Sequence, residues 1–323
     1  MVGAREDENV TVVVPAWNAS ATLDAALASI AGQTRPADAV IVVDDASTDS
    51  TRGVASKWSD RLPLTVIGLD VNEGPGLARD RAVRSAATPL VALLDADDVW
   101  LPEHLETLLT AREATDADIV SPNAVLWDPV HGFGRGTYRD LVAVPPVGEQ
   151  ADAILRHDFV FGGGALFDRS HYERAGGFRA EFSGSEPWDL WIRMIGNGAR
   201  VYGIARPTYL YRVATMSVSR SPAAVHSAAA LFDDICRRAA IDKHRLAIAR
   251  RTRRELRARR ELFLAYEAAR AGDAGAARRH ALGAGRGPAA VRARAAVLLC
   301  APSFARRWRD RTVARRRAGA VAR

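Results

Sequence analysis

The chain has little cysteine and no long apolar run, and these two shortages exclude some classes of protein. Two cysteines, Cys236 and Cys300, occur among 323 residues, too few for a disulfide-rich secreted scaffold and suited to a reducing compartment. The apolar run at residues 295–302 is far shorter than the roughly 20 residues that span a bilayer. Residues 1–9 are polar and acidic, so we expect no secretory signal. We therefore expect a cytoplasmic protein, or one held peripherally on the inner face of the plasma membrane.

A glycine-rich dinucleotide loop is also missing. The first predicted strand, residues 11–14, is followed by PAWN at residues 15–18, where a Rossmann site would need Gly-x-Gly-x-x-Gly. This absence argues against an NAD(P) enzyme. A sugar-phosphate nucleotidyltransferase would also begin with a glycine-rich loop carrying Arg or Lys, and residues 15–20 offer none.

The first hundred residues instead alternate strand and helix patterns. Predicted strands at 11–14, 39–43, 64–68 and 90–94 are separated by three predicted helices. The first helix has Ser20 as a plausible N-cap, the second extends to about Trp58, and the third covers residues 74–87. This alternation predicts an α/β fold, a mostly parallel sheet with helices on both faces.

The second part of the chain differs in composition and charge. Residues 241–323 contain 23 Lys and Arg against 6 Asp and Glu, a net charge of +17, whereas residues 1–240 carry −10. A mixed region at 118–213 includes one clear helix at 188–197, and the chain after residue 221 is rich in Ala and Arg, with a predicted helical hairpin at 261–282. We expect two domains, residues 1–221 and residues 222–323.

The most informative motif is VALLDADD at residues 91–98. A buried strand ends there in three crowded carboxylates, Asp95, Asp97 and Asp98. A capping role at the helix predicted near Pro102 explains at most one of them. Crowded carboxylates repel one another, and a divalent cation such as Mg²⁺ relieves that cost with oxygen ligands. Because open α/β sheets bind ligands at the carboxyl ends of their strands, the motif predicts a metal and phosphate site.

Two other strand ends carry polar groups. The second predicted strand continues into DDASTD at 44–49, and the third leads to NEGPGLAR at 72–79. Ser47 or Thr48 could simply cap a helix, and residues 72–76 could be an ordinary turn. All these segments, however, are predicted to meet at one edge of one sheet.

These motifs resemble, in order and spacing, those of the family 2 glycosyltransferases over residues 10–215. The resemblance implies the GT-A fold, with an α-helical C-terminal extension beyond it. It also implies inverting transfer of a sugar from a nucleoside diphosphate, UDP by default, to a hydroxyl of a glycan or lipid-linked acceptor in cell-envelope polysaccharide or glycoconjugate synthesis. The alternative is a catalytically degenerate protein that binds nucleotide sugar or glycan.

The resemblance also implies roles on the donor side. The nucleotide base and ribose would be held by four residues, Pro15, Trp17, Asn18 and Asp45. Asp44 would shape that pocket, and the segment containing Asn72, Gly74 and Arg79 would pass close to the donor. Asp95 would contact ribose or metal, Asp97 would ligate Mn²⁺ or Mg²⁺, and Asp98 would share the metal or cap a helix.

On the acceptor side, the resemblance implies a cleft that includes Gly163, Gly164 and Trp188. Inverting transfer needs a carboxylate to take the acceptor's proton, and the family's usual base position holds Pro187. Glu186 is the first candidate base and Asp189 the second, and the absence of any base stays open. The family's histidine after Tyr-Arg is missing from residues 211–217, where Arg212 or Thr215 could contact phosphate instead.

The basic tail admits three interpretations. Its arginines could lie on solvated helix faces, bind nucleic acid, or lie on anionic lipid. No recognised nucleic-acid motif or aromatic stacking pattern supports specific nucleic-acid binding. Apolar residues followed by arginine clusters near residues 297–317 favour an interfacial helix on an anionic membrane surface.

Overall fold

The computed structural model describes residues 8–128, 132–213, 222–238 and 241–300. The chain divides into two compact units, Met1–Ala214 and Thr215–Arg323. The domain boundary expected at residue 221 lies outside the described residues.

The first unit is built on one mixed sheet. Its strands are β1 (Val10–Ala16), β2 (Ala39–Asp44), β3 (Leu64–Gly68), β4 (Leu90–Leu93), β5 (Val99–Trp100), β6 (Ile119–Asp128), β7 (Gly132–Thr137), β8 (Leu166–Asp168) and β9 (Val201–Arg212). Their order is β3-β2-β1-β4-β8-β6-β9-β5, and β7 pairs with β6. Strands β1 to β4 are mutually parallel, and β8 joins β4 in antiparallel orientation.

The side chains of the central strands alternate between two apolar cores. Val12 and Val14 of β1 pack in the core that contains Leu27, whereas Val13 packs in the core that contains Ala78. Strands buried on both faces need apolar residues at every position, which explains why β1 and β4 are such continuous runs of Val, Leu and Ala. The alternation fixes the strand register and places the four parallel strand ends at one edge.

Helices flank this sheet: α1 (Leu23–Ala31), α2 (Thr51–Ser56), α3 (Pro75–Ser85), α4 (His104–Thr115), α5 (Tyr138–Leu141), α6 (Gln150–Ala153), α7 (Arg169–Ala175) and α8 (Glu186–Gly196). The predicted N-cap Ser20 is wrong, because Ser20 lies in a turn that binds Asp49 and Thr22 occupies the cap position. The second helix ends at Ser56, and Trp58 follows in a turn where its indole donates to Asp24.

The second unit contains α9 (Pro222–Arg238), α10 (Lys243–Ala271), α11 (Ala274–Ala284) and α12 (Ala289–Cys300). The predicted hairpin is confirmed: Gly272 ends α10 with φ +85°, and the Asp273 carboxylate caps α11 by accepting from Ala276 N. Small alanines let the helices pack closely around Leu262 and Leu298. Among the described residues, none of the helices has the length and apolar character to cross a membrane.

Candidate active site

The loops after β1 and β2 are tied together at the carboxyl edge of the sheet. Asn18 has a left-handed φ of 48°. Its amide N–H donates to Ser47 Oγ at 2.9 Å and its Oδ1 accepts from Thr48 N at 2.8 Å. Pro15 lies inside β1 opposite Val43. The Trp17 side chain between them is 57% exposed, so an aromatic face is presented at this edge.

Asp45 supports a loop instead of facing a ligand. It is 2% exposed, and its two carboxylate oxygens accept from the backbone N–H groups of Glu73 and Gly74 at 2.7 and 2.8 Å. The exposed Asn72 adds a bond to the Asp45 carbonyl, and Gly74 takes a φ of +86° that favours glycine. In this structure the Asp45 carboxylate therefore holds the loop, and its expected part in holding the nucleotide base and ribose stays a prediction. Its neighbour Asp44 has Oδ1 bonded to Ser47 N at 3.3 Å.

The three acids after β4 lie in three different environments. Asp95 forms an ion pair with Arg79 of α3. Asp98 is 1% exposed, and its oxygens accept from Tyr209 Oη and Arg212 N, each at 2.7 Å. Asp97 is exposed and makes no salt bridge among the described residues. The structure thus leaves Asp97 and part of Asp95 open at this edge.

The expectation that Asp98 caps a helix is wrong, and its share in a metal site stays a prediction. Both its oxygens are occupied, and the helix after it, α4, begins at His104 with Glu103 at the cap position. Across the described part of the chain, no group of three or more His, Cys, Asp or Glu side chains is arranged to hold a metal ion.

Crowding of the acids is visible in their pKa values. Although Asp97 reaches solvent, partial desolvation of its carboxyl group, and next the neighbouring Asp95, raise the pKa of Asp97 to about 6. Desolvation, with Asp95 and Asp97 beside it, also raises the pKa of Asp98 well above its usual range. These acids carry a negative charge that the protein only partly balances, which is the electrostatic condition that a bound cation relieves.

Glu186 lies against the first turn of α3. It begins α8 and is 3% exposed, and its Oε2 accepts from Gly184 N at 2.5 Å. A Cβ at Gly76 would stand 2.7 Å from Glu186 Cγ, so only glycine lets the carboxylate approach so closely. Burial raises the pKa of Glu186, while the nearby positive charge of Arg79 opposes this. A carboxylate with a raised pKa is a better proton acceptor than an ordinary one.

Asp189, the second candidate base, is buried between two arginines. It is 1% exposed and bonded to two guanidinium groups, those of Arg179 and Arg193. Arg193 in turn donates to the carbonyl of Gly177 at 2.7 Å. This ion pair fastens α8 to the preceding loop, so its role in the described structure is to position the helix that carries Glu186.

The glycine run at residues 162–164 packs against the acid cluster. A Cβ at Gly163 would stand 2.9 Å from Asp95 Oδ2, and one at Gly164 would stand 2.7 Å from the ring of Tyr209. Larger residues would push into the site, so these glycines keep the Asp95 carboxylate accessible. The indole N–H of Trp188, an expected acceptor contact, is bonded to the Ile154 carbonyl at 2.8 Å.

Tyr209 was missed by sequence reasoning, and Arg212 was noted only as a possible phosphate contact. Both lie on β9 beside the acids, where Tyr209 is fully buried and Arg212 also donates from Nε to the Asp97 carbonyl at 2.7 Å. The two tyrosines of this late strand, Tyr209 and Tyr211, are spaced two residues apart and therefore lie on one face of it, which was the available signal. Thr215, the other suggested phosphate contact, lies outside the described residues.

The fold is of the GT-A type, as expected from the sequence. The structure of S. aureus TarS 1-349 in complex with UDP-GlcNAc matches with a TM-score of 0.63 at 18% identity, covering 94% of this chain and 92% of that one. The mannosyltransferase PcManGT from Pyrobaculum calidifontis, solved with GDP-Man and Mn2+, matches with a TM-score of 0.60 at 21% identity, covering 93% and 87%. At these identities the likeness establishes the fold alone.

The chain belongs to glycosyl transferase family 2, whose family model matches residues 11–176, more than half of the sequence. Two succinoglycan biosynthesis proteins of Rhizobium meliloti (strain 1021) are similar. ExoU is 30% identical over 203 residues, covering 59% of this chain and 58% of ExoU. ExoO is 28% identical over 222 residues, covering 66% and 63%. The chain thus spans about three fifths of the length of these relatives. The resemblance stated above is confirmed.

Proposed function

We propose that this protein transfers a sugar from a nucleoside diphosphate to a hydroxyl of a glycan or lipid-linked acceptor, with inversion, in cell-envelope polysaccharide or glycoconjugate synthesis. The observation that carries the proposal is the meeting of Trp17, Asp95, Asp97 and Glu186 around the carboxyl ends of β1 and β4. Relatives named for succinoglycan biosynthesis support the polysaccharide assignment. Neighbours solved with UDP-GlcNAc and with GDP-Man support a nucleotide-sugar donor, UDP-linked by default.

The donor is assigned to the edge formed by the first three loops. The exposed indole of Trp17 offers an apolar face on which a nucleotide base stacks. Asp44 lies at the end of β2, opposite Ala16 of β1, and Asn18 fixes the turn. Asp45 and Gly74 act indirectly, because their mutual hydrogen bond holds the third loop in place.

Divalent metal dependence is part of the proposal, with Mn²⁺ or Mg²⁺ as the ion. Asp97, exposed and without a salt bridge among the described residues, and Asp95 would hold it. One or two carboxylates together with substrate phosphates are a common way to bind Mg²⁺. Bound there, the cation supplies Lewis-acid stabilisation of the departing diphosphate. Mn2+ in the mannosyltransferase neighbour supports this choice.

Glu186 is proposed as the general base. It takes the proton of the acceptor hydroxyl as that oxygen attacks the sugar carbon opposite the leaving diphosphate. Gly184 N–H holds its Oε2. Arg79 pairs with Asp95, and its nearby positive charge favours the ionised form of Glu186. Pro187 provides no proton acceptor but suits the first turn of α8.

Release of nucleoside diphosphate from a panel of UDP- and GDP-sugars, with and without Mn²⁺, tests the proposal. Metal-dependent release supports a transferase. Tight binding without release would favour the catalytically degenerate alternative, for which Pro187 at the usual base position is the motivating observation. Absence of both binding and release would overturn the proposed function.

We further propose that the helical unit lies on an anionic membrane surface. Arg250 and Arg254 are exposed one turn apart on α10, and neither has an ion-pair partner in the described part of the chain. Each basic residue near such a surface contributes about 1 kcal/mol. Co-sedimentation with vesicles that contain anionic lipid, compared with neutral vesicles, tests this.

The double variant Arg250→Gln/Arg254→Gln should weaken sedimentation with anionic vesicles. The matched control removes two arginines that are already paired, Arg251 with Glu255 and Arg270 with Glu267. If both variants lose vesicle binding equally, or if the wild type shows no preference for anionic vesicles, the proposed membrane-binding surface is refuted.

A further inference from the structure

A row of side chains runs across the sheet outward from the acid cluster. The β9 residue Arg212 donates from Nε to the carbonyl of Asp97 at 2.7 Å. On the other side of β9, Trp127 of β6 stands opposite Arg212, and Phe133 of β7 stands opposite Trp127. Because neighbouring strands lie about 4.8 Å apart, Phe133 is three strand spacings, about 14 Å, from Asp97.

The rings in this row are aligned with each other. The Arg212 guanidinium lies 4.3 Å from the centre of the Trp127 ring, a cation–π distance that fixes the indole. The Trp127 and Phe133 rings are 6.2 Å apart with only 27° between their planes. Phe133 is nevertheless 60% exposed. An exposed aromatic ring on a hairpin has no role in the core, so its open face is available to a ligand.

We propose that Trp127 and Phe133 form a binding subsite for the sugar residues of a glycan acceptor that adjoin the one being modified. The inference rests on the proposed transferase function and specifies its acceptor class as an oligosaccharide or polysaccharide chain. Pyranose rings carry axial C–H groups on one apolar face, and that face packs on the negative face of an aromatic ring. The row begins at the acid cluster, so a chain laid along it ends where the sugar is transferred.

Charge favours the same occupant over a lipid tail. The polar groups of the row, Asp97 and Arg212, lie at the end next to the acid cluster, and its two aromatic rings, Trp127 and Phe133, lie at the other end. A sugar chain matches this pattern because each ring offers hydroxyls at its rim and an apolar face. A purely apolar ligand would cover the charged Arg212 guanidinium and remove it from water, which costs free energy.

The test uses the full chain and a panel of glucose and mannose oligosaccharides of two to six residues, α- and β-linked, with binding measured by calorimetry. Phe133→Ala should weaken oligosaccharide binding about five- to ten-fold, the effect of one lost aromatic contact. Phe133→Tyr should bind as the wild type does. Tyr202→Ala is the matched control, because Tyr202 is a 43% exposed aromatic of β9 about 33 Å from Arg212 along the strand.

Unchanged oligosaccharide affinity in Phe133→Ala, or no binding of any panel member to the wild type, overturns the inference. Phe133→Ala could instead lose vesicle binding or self-association while its oligosaccharide affinity stays intact. That result would assign the row to a lipid or to a second copy of the chain, and it would also overturn the inference. Titration of UDP and GDP with Mn²⁺ on the same samples separates the two proposals. Retained nucleotide binding means that only the subsite fails, whereas no nucleotide binding means that the proposed function fails.

Discussion

Gly76→Ala probes the placement of Glu186 without altering its carboxylate. In most helices Gly→Ala stabilises by up to about 1 kcal/mol. Here the added Cβ would stand 2.7 Å from Glu186 Cγ and 2.9 Å from its Oε1, distances that require Glu186 to move. Overpacking of this kind costs about 1–3 kcal/mol, so the expected net change ranges from neutral to about 3 kcal/mol destabilising.

The catalytic effect of Gly76→Ala should be larger than its effect on stability. General bases contribute about 10²–10⁴-fold, and a misplacement of about 1 Å costs on the order of 10²-fold. We expect turnover, measured as nucleoside diphosphate release at saturating donor, to fall on the order of 10- to 100-fold while the Kd for donor changes little. Stopped assays with purified donor and Mn²⁺ measure the first quantity, and calorimetry measures the second.

Gly53→Ala is the matched control. Gly53 lies inside α2, and a Cβ there meets nothing within 4 Å, so this variant should be slightly more stable and equally active. Wild-type turnover in Gly76→Ala, with a structure that shows Glu186 displaced, would refute the assignment of Glu186 as the base.

Three further outcomes are expected. Glu186→Gln should lower turnover at least about 10²-fold with little change in melting temperature. Asp189→Ala should instead destabilise the fold by about 1–3 kcal/mol, because it removes the buried carboxylate shared by Arg179 and Arg193, whose side chains are each 21% exposed; the reverse pattern would move the base to Asp189. Asp45→Asn should lower the free energy of unfolding in urea by about 1–3 kcal/mol, because the amide oxygen can accept only one of the two backbone N–H bonds. An unchanged urea midpoint would contradict the role of Asp45 in holding the loop. Burial lowers the pKa of His104 to about 3, below its unfolded value of about 6.5, so the stability that neutral His104 contributes is complete above pH 6.5 and is lost as the pH falls. Between pH 7.5 and 5.5 the free energy of unfolding of the wild type should fall by about 1.4 kcal/mol more than that of His104→Gln. Parallel curves of stability against pH for the two proteins would exclude this.

The edge where the site forms could be predicted because it follows from the sheet alone. Strands β1 to β4 are parallel, so their carboxyl ends must meet, and the bounds predicted for the third strand, residues 64–68, agree with the structure. The acids after β4 were placed correctly for the same reason. The predicted helix ends were less accurate, because Ser20 bonds across the loop to Asp49 instead of capping α1.

Which acids remain open could not be read from local sequence. The Asp98 carboxylate accepts hydrogen bonds from Tyr209 and Arg212, which lie more than a hundred residues later in the chain. The Asp45 carboxylate accepts from the loop that follows β3. Asp189 has a favourable helix partner four residues on, as its spacing predicts, but Arg179 from the preceding loop completes a buried pair. Such tertiary partners decide whether a carboxylate supports the structure or faces a ligand.

The central claim is that Asp97, with Asp95, holds a divalent cation together with the donor diphosphate. Calorimetric titration of UDP and GDP into the wild type and Asp97→Asn, with and without Mn²⁺, tests it most directly. The account predicts that Mn²⁺ strengthens binding of at least one nucleotide to the wild type by tenfold or more, a gain of about 1.4 kcal/mol, and that Asp97→Asn loses this gain while its metal-free affinity persists. Nucleotide affinity that is independent of Mn²⁺ in the wild type, or an equal gain in Asp97→Asn, would contradict it.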